Sequence, residues 1–248
     1  MGANEVLNLG VSRSGDFALQ TSPSVKSRRR LVLVDRGGTA RASGADSGSD
    51  FYYTPRLSPD GQRVVLTRGK DHLGQTFSDA WVFDLKQHTR TRVTFDTTAW
   101  TPVWTPDGRR IAYTSFPKGY SGGVGHIYWV MADGSGTPES LLVRPGVWWP
   151  TSVQPDGKGL VYFGFDSGGA KSAIWRLGLD GGTAPVQLLA NGFNNSAPML
   201  SPDGRWFAYV SDESGRNEVY VRPYPGPGGR WQVSRGGGTQ PLWSPRGQ

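Results

Sequence analysis

The chain has 248 residues, a formal net charge of +7 at neutral pH and no cysteine. The lack of cysteine excludes disulfides and thiolate metal sites, and no apolar run approaches the length of a membrane-spanning helix. The positive charge is dispersed apart from Arg28–Arg30, which we interpret as a solvated loop, so we predict neither nucleic-acid binding nor membrane insertion.

Short apolar runs separated by glycine, proline, aspartate and asparagine predict β-strands along the whole chain. Taken in order, they form five groups of four runs and one last run. The groups occupy about residues 5–50, 51–98, 99–147, 148–194 and 195–238, and the last run lies in 239–248.

A tight-turn tetrapeptide recurs after the first run of each group. Its clear copies are Ser58-Pro59-Asp60-Gly61, Thr105-Pro106-Asp107-Gly108, Gln154-Pro155-Asp156-Gly157 and Ser201-Pro202-Asp203-Gly204, and a variant is Ser244-Pro245-Arg246-Gly247. The turn prolines are spaced by 47, 49, 47 and 43 residues. Four strands in each repeat of this length predict an all-β fold, a β-propeller of four-stranded antiparallel blades.

The repeat resembles the TolB-type, WD40-like propeller family over almost the whole chain. The resemblance is carried by segments such as VWTPDGRRIAYTS and VSDESGRNEVYVRPYPGPGGRWQVS, and it is closest to propellers fused to bacterial serine/threonine kinases. No kinase motif is present. The resemblance implies a propeller that is part of a larger multidomain protein in the periplasm or another extracytoplasmic compartment, although residues 1–10 show no signal peptide. It implies no particular activity, because propellers host many functions.

The repeats predict a single domain over residues 1–248, with five encoded blades and one extra strand. We expect the extra strand, Gln240–Ser244, to pair with the first blade and close a five-bladed ring. The alternative is a truncated six-bladed ring.

The meander of a blade places its loops on two faces. The loops between second and third strands share the upper face with the loops between blades, and the tight turns lie on the lower face. Tyr53, Trp100 and Trp149 all stand six residues before a turn proline, so we predict that they line the upper mouth of the axis, with Asn195 and Gln240 as polar partners. Their rings would suit sugars, peptides or cations; the alternative is packing between blades.

No motif for catalysis, a cofactor or a metal is present. The turn aspartates are explained by turn chemistry, and His72 and His126 are too dispersed to form a metal site. Asp96, Asp166, Asp212 and Glu213 are the carboxylates expected on the upper face, and we expect Asp212 to brace its loop.

We therefore predict a non-catalytic scaffold that binds a protein, peptide or glycan on the upper face. One alternative is a hydrolase of glycosidic or ester bonds with its active site in the axial pocket, and another is the accessory propeller of a larger peptidase. The hydrolase would need carboxylates or a histidine converging on the axis.

Overall fold

The strands of the chain form five four-stranded sheets in a computed structural model, which describes residues 9–11, 17–21, 30–35, 39–43, 51–72, 75–117, 123–181 and 184–244. Every sheet is an antiparallel meander, which confirms the predicted four-stranded blade. In the part of the chain that the structure describes, no helix is long and apolar enough to cross a membrane.

The first two blades cover the amino-terminal part of the chain. The first blade consists of β1 (Leu9–Val11), β2 (Phe17–Thr21), β3 (Arg30–Val34) and β4 (Ala40–Ala42). The second consists of β5 (Phe51–Leu57), β6 (Arg63–His72), β7 (Gln75–Asp84) and β8 (Arg90–Arg92). Of the first blade only the strands and a few adjoining residues are described, whereas the four later blades are described almost throughout.

The last three blades repeat this plan. The third has β9 (Ala99–Trp104), β10 (Arg110–Ser115), β11 (His126–Met131) and β12 (Glu139–Leu142). The fourth has β13 (Val147–Val153), β14 (Gly159–Phe165), β15 (Ala173–Gly178) and β16 (Val186–Leu189). The fifth has β17 (Asn195–Leu200), β18 (Trp206–Ser211), β19 (Glu218–Pro223) and β20 (Trp231–Gln232). In the second to fifth blades the outermost strand is the shortest of the four, which leaves little exposed edge.

The hydrophobic core lies between successive blades. One buried cluster joins Leu31 and Leu33 of the first blade to β5–β7, and the next joins Val65 and Val82 to Ile111 and the rest of the third blade. Two further clusters fill the spaces between the third and fourth and between the fourth and fifth blades. Each blade thus buries its faces against its neighbours, as a propeller requires.

The recurring turns have the geometry that their sequence predicts. In the fifth blade, Ser201 O accepts the Gly204 N–H at 2.9 Å, and Asp203 Oδ1 accepts the Arg205 N–H at 3.0 Å. Gly204 has a φ of +69°, which glycine adopts at little cost. Ser201 Oγ also accepts the Trp206 N–H at 3.0 Å, so the turn is bonded to the start of β18.

Asp203→Asn should make the protein less acid-sensitive. The hydrogen bond from Ser201 and those from Arg205 lower the pKa of Asp203 to about 2. A carboxyl whose pKa is lower in the folded state stabilises the fold above its unfolded pKa, and this contribution is lost as the pH falls through the folded pKa. We expect the melting temperature of the wild type to exceed that of Asp203→Asn at neutral pH and the two to converge towards about pH 2.

Melting curves recorded across this pH range test the prediction. Asp180→Asn is the control, because it removes a carboxylate from another lower-face loop, outside the repeated turns. A constant difference between wild type and Asp203→Asn down to pH 2 would show that the charge of this turn does not stabilise the fold.

The predicted extra strand is not formed. Residues 239–244 are described and contain no strand, so the expected pairing of Gln240–Ser244 with the first blade is corrected. Pro241 has no N–H to donate to a ladder. The segment is instead held against the fifth blade, where Trp243 Nε1 donates to the carbonyl oxygen of Met199 at 2.8 Å.

Candidate functional site

A depression opens on the axis at the lower face, where the innermost strands end. Its volume is about 310 Å³. The residues three positions before each turn proline line it, and they are Arg56, Val103, Ser152, Met199 and Leu242. Trp104, Trp243 and the turn prolines Pro59, Pro106, Pro155 and Pro202 also line it. A concave apolar surface with a few polar groups is the usual form of a ligand site.

Arg56 gives this axial depression its charge. Of the lining residues that the structure describes, Arg56 is the one with a charged side chain. Burial lowers the pKa of the Arg56 guanidinium to about 10, so Arg56 stays protonated at neutral pH. Its Nη1 donates to the carbonyl oxygen of Pro55 at 3.0 Å, which fixes the side chain near the axis.

Two equivalent tryptophans in the lining of the axial depression bond to a neighbouring blade. Trp104 Nε1 donates to the carbonyl oxygen of Arg56, in the preceding blade, at 3.0 Å. Trp243 makes the corresponding bond to Met199 of the fifth blade. Trp104 is buried, and both tryptophans line the axial depression.

An outer groove continues the axial depression between the third and fourth blades. It has a volume of about 620 Å³ and shares Pro106 and Pro155 with the axial depression. Trp129 and Met131 form an apolar wall. The guanidinium of Arg110 lies 4.1 Å from the centroid of the Trp129 ring.

The charges of the outer groove are balanced. Arg109 and Arg110 line it together with Asp107 and Asp156. The Thr105 hydroxyl and the Arg109 N–H donate to Asp107 and lower its pKa. The Lys158 N–H donates to Asp156 at 2.9 Å, so both carboxylates already serve the turns.

The predicted upper-face aromatics fall into two groups. The rings of Tyr53 and Trp100 lie side by side across the second and third blades, with centroids 5.6 Å apart. Trp149 instead stacks on Phe163 of its own blade at 5.1 Å and meets Phe165 at 5.7 Å. All three predicted rings are half-buried. The structure therefore brings together two of the three.

The two predicted polar partners differ in their surroundings. Asn195 is fully buried, and its amide donates to Asn191 Oδ1 at 2.7 Å and to the carbonyl oxygen of Phe193 at 3.0 Å. Its side chain therefore supports the loop before β17. Gln240 is half-buried and has a φ of +54°. The assignment of these five residues to a ligand site stays a prediction.

A repeated backbone irregularity shapes the innermost strands. Thr54, Thr101, Ala197 and Gln240 have φ values between +47° and +54°, and each precedes a proline. Where such a residue lies in an innermost strand, the pairing register between that strand and the second strand of the same blade shifts at this residue. This bulge was not predicted from the sequence, although a proline stands four residues before each of these turn prolines.

The upper-face carboxylates are engaged and do not converge. Ser115 Oγ donates to Asp96 at 2.6 Å, and Arg144 is paired with Asp166. Arg230 Nε lies 2.7 Å from Glu213. These acids belong to loops of three different blades. Among the described residues, no group of three or more histidine, aspartate or glutamate side chains could hold a metal ion.

Asp212 braces its loop as predicted. Its carboxylate accepts the Asn194 N–H at 2.8 Å and the Asn194 side-chain amide at 2.7 Å. The side-chain bond is the main cause that lowers the pKa of Asp212.

Comparisons with known proteins agree with this architecture. The family model of the TolB beta propeller domain matches residues 24–247. A Tol-Pal system protein TolB from Francisella tularensis is 29% identical over 160 residues, which are 64% of this chain and 35% of that protein. The chain thus spans about a third of the length of the curated relatives that it matches.

Solved structures show the same fold. TolB from Acinetobacter baumannii superposes with a TM-score of 0.69 at 21% identity, over 88% of this chain and 51% of that one. The β-propeller domain of the trilobed protease from Pyrococcus furiosus, which has an open velcro topology, superposes with a TM-score of 0.54 at 12% identity, over 94% and 86%.

Proposed function

Because the chain belongs to the TolB β-propeller domain family, we propose that it is a non-catalytic binding module that takes a segment of a partner protein into its lower-face axial depression. The observation that carries the proposal is the depression itself, whose described lining includes Arg56 and two tryptophans that bond to the neighbouring blades. The relatives' name as Tol-Pal system proteins supports membership of a protein assembly.

The upper face is the second candidate surface. Tyr53 and Trp100 form a half-buried aromatic pair there, which suits a peptide or a sugar ring. The lower face is favoured because its five central side chains come from four blades and the carboxy-terminal segment and meet in one depression. The predicted upper-face rings are divided between two contacts.

A random-peptide selection tests the choice between the two faces. Linear peptides displayed on phage are selected on the full chain, and the binding of the selected synthetic peptides is measured by fluorescence anisotropy. Leu242→Trp, which fills the lower depression, should abolish binding, and Trp100→Ala on the upper face should leave it unchanged. The reverse result would place the site on the upper face and refute the lower-face proposal.

The positions of the upper-face carboxylates do not support a hydrolase. A glycosidase needs two carboxylates on opposite sides of one cleft, whereas the upper-face carboxylates serve loops of different blades. The sequence resemblance predicts fusion to a kinase domain, and one alternative is that the chain is the accessory propeller of a peptidase. Both stay predictions. Intact-mass measurement of the native full-length protein would decide whether further domains are attached.

The carboxy-terminal segment takes the place of an innermost strand. Gln240 has the φ of Thr54, Thr101 and Ala197 and precedes a proline as they do. Trp243 bonds to the fifth blade as Trp104 bonds to the second. These two correspondences support a ring with six blade positions, of which the sixth begins at residue 239. The open velcro topology of the Pyrococcus furiosus propeller supports a ring without strand pairing between its ends.

If this is right, Trp243→Phe and Trp104→Phe should lower the free energy of unfolding by similar amounts. Each change removes an indole hydrogen bond and leaves a carbonyl oxygen without that donor, which costs about 1–2 kcal/mol. Urea unfolding of both variants measures the loss. If Trp104→Phe is destabilised and Trp243→Phe unfolds like the wild type, the segment does not take the place of an innermost strand.

A further inference from the structure

We infer that Asn191 is a site of spontaneous deamidation that the folded chain promotes, with the main-chain nitrogen of Gly192 as the attacking group. The inference goes beyond the lower-face proposal and does not depend on it. Asn191-Gly192 is the single Asn-Gly pair of the sequence. Both residues are exposed in the loop that joins the fourth and fifth blades on the upper face.

Gly192 leaves room for the ring that the reaction forms. Attack of the Gly192 nitrogen on Cγ of Asn191 closes a five-membered succinimide, which a side chain at the second position would crowd. A Cβ built on Gly192 would meet nothing within 4 Å, so this peptide is surrounded by open space. The Phe193 N–H donates to Asn191 Oδ1 at 3.3 Å, so the asparagine side chain is folded over the Gly192 peptide as in an Asx-turn.

Two donors already point at the oxygen that gains charge in the reaction. Attack on Cγ moves negative charge onto Oδ1 of Asn191, as in other acyl transfers. This oxygen accepts the side-chain amide of Asn195 at 2.7 Å as well as the Phe193 N–H. Asn195 is fully buried, and its amide also donates to the carbonyl oxygen of Phe193. The donor is therefore fixed before the reaction begins, and preorganised donors of this kind stabilise a developing oxyanion.

The reaction at Asn191 needs only water as a co-reactant. The Gly192 nitrogen gives its proton to water and bonds to Cγ, and the bond between Cγ and Nδ2 breaks. The departing nitrogen takes a proton from water and leaves as ammonia. Water then opens the imide at one of its two carbonyl groups, which gives aspartate or isoaspartate in place of Asn191.

The product would change the charge balance of the loop. In the amide form, Asn191 Nδ2 donates to one carboxylate oxygen of Glu213 at 3.3 Å, and Arg230 donates to the other at 2.7 Å. Deamidation replaces the amide donor by a second carboxylate beside Glu213, and like charges at this distance are unfavourable. Asn191→Asp, which mimics one product, should therefore lower the melting temperature, and it should do so less in a Glu213→Gln background.

Incubation of the native chain at mildly alkaline pH tests the inference. Tandem mass spectrometry of the digested chain follows the amide at each asparagine over time, and labelling by an isoaspartate-specific methyltransferase identifies the rearranged product. We expect modification at Asn191 and none at Asn217, which is also exposed but precedes a glutamate. The native chain should react at Asn191 at least as fast as the same chain unfolded in guanidinium chloride.

Three variants separate the fold from the dipeptide. Gly192→Ala should reduce the modification of Asn191 to the level of Asn217. Asn195→Ala removes the buried donor, so it should slow the reaction in the native chain and leave the rate in the unfolded chain unchanged. Asn194→Ala is the matched control, because the Asn194 amide donates to Asp212 and not to Asn191, and it should react like the wild type.

A slower reaction in the native than in the unfolded wild type would show that the fold protects Asn191, and would overturn the inference. Equal modification of Asn191 and Asn217 would overturn it as well. If Asn195→Ala folds and reacts at the wild-type rate, the buried amide does not promote the reaction and the inference is wrong. Should Asn195→Ala not fold, the comparison of native with unfolded wild type decides.

Discussion

Trp148→Ala should lower the free energy of unfolding by about 3–5 kcal/mol, the usual cost of emptying a large aromatic site in a core. Trp148 is fully buried between the third and fourth blades. Its ring meets Tyr162 at 5.8 Å and Trp175 at 6.1 Å, and the guanidinium of Arg144 lies 4.4 Å from its centroid. Urea unfolding followed by tryptophan fluorescence and by circular dichroism measures the loss.

Trp149→Ala is the matched control for Trp148→Ala. Trp149 is half-buried and stacks on Phe163 at the upper end of the same strand. Because part of its surface stays in water, we expect a loss of about 1–2 kcal/mol. Equal losses for the two variants would mean that Trp149 belongs to the core as much as Trp148 does, and would remove it from the candidate upper-face site.

The different burial of Trp148 and Trp149 shows what the sequence could and could not predict. Side chains alternate along a strand, so the sequence predicts that Trp148 and Trp149 face opposite ways. It does not say which of them faces the neighbouring blade. That choice depends on the register with β14, which pairs Trp148 with Gly164 and shifts after Pro150.

The tight turns were predictable because their cause is local. In Ser201-Pro202-Asp203-Gly204, every bond within the turn joins residues at most five apart. The bulge at Thr54, Thr101 and Ala197 was not predictable in the same way. A positive φ is rare for residues other than glycine, so local preference argues against it, and the packing of innermost strands around the axis overrides that preference.

The lower-face depression could not be found from local patterns. Arg56, Val103, Ser152 and Met199 are separated by about one repeat each and meet only because the blades surround one axis. Their equivalence three positions before each turn proline was readable in the sequence. The sequence instead favoured the upper face, because three aromatic rings stand six positions before the turn prolines. Aromatic rings are a stronger sign of ligand binding than the four residues above, of which only one is an arginine.

Gly164→Ala should cost about 3 kcal/mol or more, because it combines backbone strain with a steric clash. Gly164 has a φ of +158°, and a Cβ added to it would lie 1.9 Å from the carbonyl oxygen of Val147. That oxygen belongs to the paired strand β13, so it cannot move without breaking the ladder. The free energy of unfolding in urea, with the melting temperature alongside, measures the effect.

Gly168→Ala is the control that separates strain from the clash. Gly168 also has a positive φ, +90°, but a Cβ there would meet nothing within 4 Å. We expect it to cost about 1 kcal/mol. If both variants lose the same stability, the clash at Gly164 is relieved by a small movement of the strand and the prediction is wrong.

A double variant shows which neighbour opposes the added methyl group. A Cβ at Gly164 would also lie 2.9 Å from the Trp148 ring, so Trp148→Ala removes one of its two obstacles. The nearer obstacle, the Val147 carbonyl oxygen, stays. Gly164→Ala combined with Trp148→Ala should therefore be at least as unstable as either single variant. Recovery of stability in the double variant would mean that the Trp148 ring, and not the backbone of β13, requires glycine at this position.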